Sequence, residues 1–235
     1  GITPQTPGRN PVPKKETTPE DKSVKVASIV ESCTAIEGTA AERYLKRRGI
    51  TAVPPLCIQF RPHALGSYDA LVAQATDVDG NVLAVQQIYL TDAGEKAPVT
   101  VVKRTNKAVE KWAEKSAVRL PGKQPLILAE GVETALSVWQ ATGQETWACL
   151  GISNIGNAPV PDKATVIVAR DGDLPGSKAD GQMSRAVSRL QKRGLTVSVA
   201  TPPESKDFND LLCGIGEEAV RAVLEEAKPF IHFGF

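Results

Sequence analysis

The chain has 235 residues, 41% of them hydrophobic and 23% charged, with a formal net charge of +1. That size buries one sizeable core, or one core with a smaller second lobe, and the composition fits a soluble globular protein. No apolar run approaches the ~20 residues of a membrane span, the start lacks the basic-then-apolar pattern of a signal peptide, and the isolated cysteines form no C-x-x-C pair, which excludes a zinc ribbon and fits reduced thiols in a cytoplasmic protein.

Residues 1–24, rich in Pro, Thr and Lys, read as a disordered linker. With the apolar ending "FIHFGF", they suggest a piece of something longer. Residues 25–122 are expected to form a first lobe of mixed α and β structure. "SVKVASIVESCTAI" predicts an amphipathic helix. "GTAAERYLKRRG" predicts a second, with Thr39 and Glu42 in capping-box spacing and Gly49 as its stop. "LCIQFR" reads as a strand, and "DGN" joins two more in a hairpin. "VTVVKR" adds a strand and "NKAVEKWAEKS" a short helix.

After Pro121 the pattern changes, and residues 123–235 read as a second domain. "PLILA", "TWACL", "TVIVA" and "LTVSVA" are apolar, β-branched runs separated by helical segments, the signature of a parallel sheet flanked by helices. "GISNIGN" reads as a loop, and "DFNDLLCGIGEEAVRAVLEEA" as closing helices.

Two of these strands end in acids. "LILAEGVETALSV" delivers Glu130 and then Glu133, and "ATVIVARDGD" delivers Asp171 and Asp173 around a glycine. "SKDFNDLL" brings Asp207 and Asp210 after a third strand. In an open parallel sheet, ligands bind beyond the C-terminal strand ends. Clustered carboxylates repel unless a cation neutralises them, and oxygen-only donors suit Mg²⁺ or Mn²⁺. Either motif alone also fits a bland role, as a helix cap or a surface turn. Their occurrence together at equivalent strand ends favours a site. The two histidines, His63 and His232, lie far apart and argue against a His-based metal site or Ser–His–Asp chemistry.

Charge is unevenly spread. From Lys96 to Lys123 the bases Lys96, Lys103, Arg104, Lys107, Lys111, Lys115, Arg119 and Lys123 face only Glu110 and Glu114. A basic surface beside an acidic site suits an enzyme that handles a polyanion with bound cations. Trp112, Trp139 and Trp147 are candidate base-stacking residues, although Trp139 and Trp147 sit in apolar elements that predict core packing.

"AEGVETALS", "VARDGD" and "KDFNDLL" together resemble the Toprim domain, a catalytic fold of bacterial-type primases, topoisomerases and some nucleases. The "EGVETALS" form is most similar to primases of phages, plasmids and other mobile elements. "GTAAERYLKRRGI", "ALVAQATDVDGNVLAVQQIYLTDAGEKA" and "SAVRLPG" resemble the lobe that precedes Toprim in those primases, so the resemblance spans residues 35 to 213. It implies an α/β fold: a Rossmann-like Toprim sheet behind a smaller α+β lobe. It also implies a DNA primase core making RNA primers on a single-stranded DNA template from nucleoside triphosphates, with Mg²⁺ or Mn²⁺ and no zinc in this chain. A helicase or other module of a larger replication protein is the implied partner, and no membrane is involved. Glu130, Asp171 and Asp173 match the family's catalytic acids, with the metal or base role of Glu130 left open. The family's frequent aspartate four residues after the glutamate is Thr134 here, which leaves Glu133 or Asp207 to assist a second ion. Lys96, Lys103, Arg104 and Arg119 are the candidates for triphosphate or template contacts. The alternatives are another Toprim activity, nuclease or topoisomerase-like, or a non-catalytic nucleic-acid or replisome-binding module. The tyrosines Tyr44, Tyr68 and Tyr89 all lie in the first lobe, and no G-x-x-x-x-G-K-[ST] occurs.

Overall fold

The computed structural model describes residues 18–203 and 207–230. Its first lobe is an antiparallel meander in the order β1-β2-β3-β4, formed by β1 (Ile58–Leu65), β2 (Tyr68–Thr76), β3 (Val82–Leu90) and β4 (Lys103–Lys107). The β2–β3 turn closes on Asp77, whose Oδ1 accepts from the amides of Asp79 and Asn81, while Gly80 takes the left-handed φ of 86°. Helix α1 (Pro19–Glu31) lays Val26 and Ile29 over Ala70, Val72, Val85 and Tyr89 on one face of this sheet. The opposite face carries Leu71, Ala73, Ala75, Ile88 and Leu90, and it packs with Tyr44 and Leu45 of α2 (Ala40–Arg47).

The second sheet has the order β10-β9-β8-β6-β7-β5. Strands β6 (Lys123–Ala129), β7 (Gln144–Ala148), β8 (Thr165–Ala169) and β9 (Thr196–Ala200) run parallel. Strands β5 (Val118–Leu120) and β10 (Lys228–Pro229) flank them antiparallel. The apolar runs are continuous because both faces are covered. Leu126, Leu128, Val166 and Val168 face α5 (Lys178–Lys192). Ile127 and Ala129 face α3 (Val132–Thr142), which contacts α6 (Phe208–Gly214) and α7 (Glu217–Glu225). Residues of both lobes, from Ile58 and Leu71 to Leu136 and Phe208, join in one hydrophobic core. Among the described residues no helix is long and apolar enough to cross a membrane.

Several local expectations change. The linker expected to residue 24 gives way to α1 at Pro19, because Thr18 and Asp21 form a reciprocal capping box and Pro19 stands at the first helical position. Residues 1–17 lie outside the described residues. The first helix stops at Glu31, where Thr34 leaves to bridge Phe60 in β1. Thr39 makes no cap; its hydroxyl donates to the Ile36 carbonyl, and Glu42 accepts from the Gly38 amide instead. The helix expected over 106–116 is only a 3-10 turn, Trp112–Glu114, since Asn106 and Lys107 extend β4 against β3. "GISNIGN" contains a single helical turn, α4 (Ile152–Ile155). Strand β5, upstream of the expected division at residue 123, pairs with β7 in the second sheet.

The turn at Gly94 fixes how the β3–β4 connection sits on α2. Gly94 is buried with φ of 73°, and a Cβ there would lie 2.6 Å from Arg43 Cβ and 2.8 Å from the Tyr44 amide nitrogen. The Arg43 guanidinium donates to the Asp92 carbonyl at 2.9 and 2.7 Å in the same turn. Gly94→Ala therefore forces backbone apart from backbone and should lower stability by about 2–4 kcal/mol. Thermal denaturation checks it; a variant melting with the wild type would mean that the turn yields freely.

Candidate active site

The order of the second sheet reverses at β6: the chain moves to β7 on one side and returns through β8 on the other. Such a switch point opens a crevice beyond the C-terminal strand ends. Glu130 follows β6 directly, and Asp171 and Asp173 follow the adjacent β8. Asp207, after β9, is the N-cap of α6; its Oδ1 accepts from the Asp210 amide at 2.7 Å. Thr134, on the first turn of α3, donates its hydroxyl to Asp171 Oδ1 at 3.4 Å.

These acids repel one another. Burial, then the charges of Asp207 and Asp173, push the Asp171 carboxyl up to about 6, against smaller opposing effects of Thr134 and Lys103. Burial, then Asp171 and Asp173, raise Glu130, while Lys103 and a hydrogen bond from the Ile152 amide oppose the rise. None of Glu130, Asp171 and Asp173 has a salt-bridge partner among the described residues. Nor do three His, Cys, Asp or Glu side chains gather around one point there. The donor set is oxygen only and its negative charge is only partly offset by Lys103, which fits a hard divalent cation.

Glu133 differs from its neighbours. It is 4% exposed. Its Oε1 accepts from Tyr44 Oη at 2.8 Å, and its two oxygens lie 2.9 and 3.0 Å from Lys103 Nζ. Lys96 Nζ stands 3.6 Å from Oε1. Burial alone would raise this carboxyl, yet the charge and hydrogen bond of Lys103 and the bond from Tyr44 hold it below its ordinary value. Both Glu133 oxygens, expected to assist a metal, are engaged by lysines of the first lobe, and Oε1 also by Tyr44. Burial lowers Lys96, helped by the charges of Lys103 and Arg48 and opposed by Glu133.

The basic candidates separate by location. Lys103 acts electrostatically on Glu130 and Asp171, so it stands on the site side. Arg104, its neighbour in β4, registers with Gln87 and alternates to the sheet face under α1. Arg119 lies on β5, half-buried. Its guanidinium stacks 4.3 Å over Trp147, and Nε donates to the Thr76 carbonyl. Of the four basic candidates, Lys96 and Lys103 are brought together on Glu133, whereas Arg104 and Arg119 lie apart from that pair. Trp112 and Trp147 are buried in the core, and Trp139 donates its ring N–H to the Pro121 carbonyl. Sequence reasoning missed Tyr44, whose bond to Glu133 crosses the lobes and is announced by no local spacing.

Comparison with known proteins agrees with this geometry. Residues 20–119 match the model of a domain of unknown function, DUF7146, and residues 125–218 match that of the Toprim domain. No curated protein matches. Among solved structures, a DNA primase domain from Pseudomonas aeruginosa is 18% identical with a TM-score of 0.62, covering 88% of this chain and 79% of its own. The Aquifex aeolicus primase, with zinc-binding and RNA polymerase domains, is 17% identical with a TM-score of 0.61, over 91% of this chain and 62% of its own. A DnaG primase catalytic domain bound to single-stranded DNA is 16% identical with a TM-score of 0.58, over 88% and 80%. Residues 125–218 are a Toprim domain, and with the lobe before it the chain has the fold of DnaG-type primase catalytic cores.

Proposed function

We propose that this chain is the catalytic core of a DNA primase, making short RNA primers on single-stranded DNA by metal-dependent nucleotidyl transfer. The observation that carries the reading is the set Glu130, Asp171 and Asp173 at adjacent strand ends, with the first lobe's lysines beside it. In this reaction a 3′-hydroxyl attacks the α-phosphate of a nucleoside triphosphate and pyrophosphate leaves. Asp171 and Asp173 would hold Mg²⁺ or Mn²⁺, with Glu130 as a further ligand or as the base, and Asp207 nearby. When bound, such an ion supplies neutralisation of phosphate charge and a lowered pKa for an attacking oxygen. Lys103 and Lys96 would meet the triphosphate, and a helicase or another replication module would be the core's partner. A Toprim that binds nucleic acid without catalysis is the second reading. Thr134 in the family's aspartate position, with Glu133 taken by lysines, favours it.

Primer synthesis on single-stranded DNA with labelled triphosphates, in Mg²⁺ and in Mn²⁺, tests both. Glu130→Gln should lower the rate by at least about a hundredfold while the melting temperature stays level or rises. Synthesis at the wild-type rate by a folded Glu130→Gln variant would remove Glu130 from the reaction. A wild type that makes no primer with template and Mn²⁺ would favour the binding module.

A second expectation follows from the raised carboxyl of Asp171, about 6 against an ordinary 3.8. The folded site then binds a proton more tightly than the unfolded chain does. Stability therefore falls as pH rises from about 4 to about 6, and the penalty persists above that range. In chelator at pH 7.5, Asp171→Asn should raise the melting temperature by about 2–5 °C, and the gain should vanish near pH 4. Mg²⁺ should raise the wild type's melting temperature more than the variant's. A pH-independent gain would mean that Asp171 carries no repulsion.

A further inference from the structure

We propose that Glu133 is a positioning residue. Its buried carboxylate holds Lys103 and Lys96 at the edge of the acidic crevice, placed to receive the phosphates of the incoming nucleotide. The identity of that ligand rests on the primer-synthesis reading; the positioning itself rests on geometry. The Glu133 side chain is 6% exposed, whereas those of Lys103 and Lys96 are each 41% exposed. The anion is therefore the base plate, and the ammonium groups lie between it and solvent. An ammonium carries three donors. Lys103 directs its bonds inward to the two carboxylate oxygens and keeps donor capacity outward.

Left alone, neither lysine would stay there. Each long side chain has many rotamers to lose on being held in one place. Lys103 and Arg48 both disfavour the charge on Lys96, so the cations repel. The single buried carboxylate offsets that repulsion and fixes both heads. Tyr44 completes the arrangement by fixing Oε1 from α2. Lys103 remains close enough to oppose the raised carboxyls of Glu130 and Asp171, which sets its head beside the reacting region rather than on a remote surface. A purely packing role for position 133 would need no charge. A bare competitor for the lysines would weaken anion binding, not support it. These alternatives predict opposite signs.

Calorimetry of inorganic tripolyphosphate binding to the full chain in metal-free buffer reads that sign. Glu133→Gln raises the net charge by one, yet it should weaken binding by roughly tenfold, the entropy of two released side chains. Lys103→Ala should also weaken it, and the double variant should lose less than the product of the single losses. Tyr44→Phe, which removes a hydrogen bond and no charge, should weaken binding by about threefold, a fraction of the effect. In primer synthesis, Glu133→Gln should raise the nucleotide KM more than it lowers kcat. Equal or tighter tripolyphosphate binding by a folded Glu133→Gln variant overturns the proposal, as do fully multiplicative losses in the double variant. If Glu133→Gln fails to fold, Tyr44→Phe decides: unchanged affinity in that folded variant overturns it. A wild type that makes no primers, together with weakened tripolyphosphate binding in Glu133→Gln, would end the primase reading and sustain the positioning role.

Discussion

A carboxylate buried at the junction of the two lobes is the constraint on which the arrangement depends. An unpaired charge in so dry a place has an effective penalty of several kcal/mol, so Glu133 is tolerable only with its partners in contact. Every one of those partners belongs to the first lobe: Tyr44 from α2, Lys103 from β4 and Lys96 from the β3–β4 connection. Glu133 itself sits on α3 of the Toprim domain. The apolar core would accept small slides between the lobes, because hydrophobic contact is non-directional. The ion pair would not, since Lys103 Nζ and Tyr44 Oη must stay within hydrogen-bond reach of the Glu133 oxygens, at 2.9 and 2.8 Å. Docking register and site chemistry are thereby fixed by the same atoms.

The consequence is a crevice polarised across the lobe boundary. Glu130 and Glu133 are three residues apart, yet their environments drive them in opposite directions. Glu130 is raised by burial and by Asp171 and Asp173, whereas cations hold Glu133 down. Two acids of the same type thus receive two tasks from their surroundings. The unbalanced negative charge collects at the strand ends, where the proposed reading puts a cation. The positive surplus, with Lys103 and Lys96 around one carboxylate and Arg48 acting on Lys96, collects opposite, where the proposed reading puts a phosphate. A nucleotide with its metal would match both halves at once.

How far this could be read from the chain depended on the range of each interaction. "LILA" and "VIVA" were legible as sheet strands because burial on both faces leaves an uninterrupted apolar signature, and the acids closing them were legible as strand-end residues. The start of α1 was written locally in Thr18 and Asp21 but was masked by the Pro and Lys content around it. The pairing of Glu133 was not legible, because Tyr44 and Lys103 are 89 and 30 residues away and only the folded lobes bring them together. The stacking of Arg119 on Trp147 was not legible for a related reason. A count of charges along a segment cannot tell which base faces a crevice and which lies over a tryptophan at a sheet edge.

The two halves of the crevice are held by different kinds of force, and this gives the lobe contact its meaning. Strands β6 and β8 are hydrogen-bonded neighbours, so Glu130 and Asp171 keep their spacing whatever the first lobe does. Lys103 and Lys96 have no such tie to the acids; their distance from them is set by docking alone. Docking has a second fastening close by. Asn209 of α6 donates to the Arg48 carbonyl at 2.7 Å and to Ser137 Oγ at 2.8 Å, which joins the end of α2 to α3 and to the helix capped by Asp207. Gln140 of α3 adds a third, accepting from the amides of Thr51 and Ala52 and donating to the Gly49 carbonyl. These bonds give partners to backbone groups at and just beyond the end of α2. The loop carrying Asp207 and the turn carrying Arg48 are therefore registered to each other before any ligand arrives. On the proposed reading, what a ligand then contributes is charge, not shape: cations for the strand ends and phosphates for the lysines.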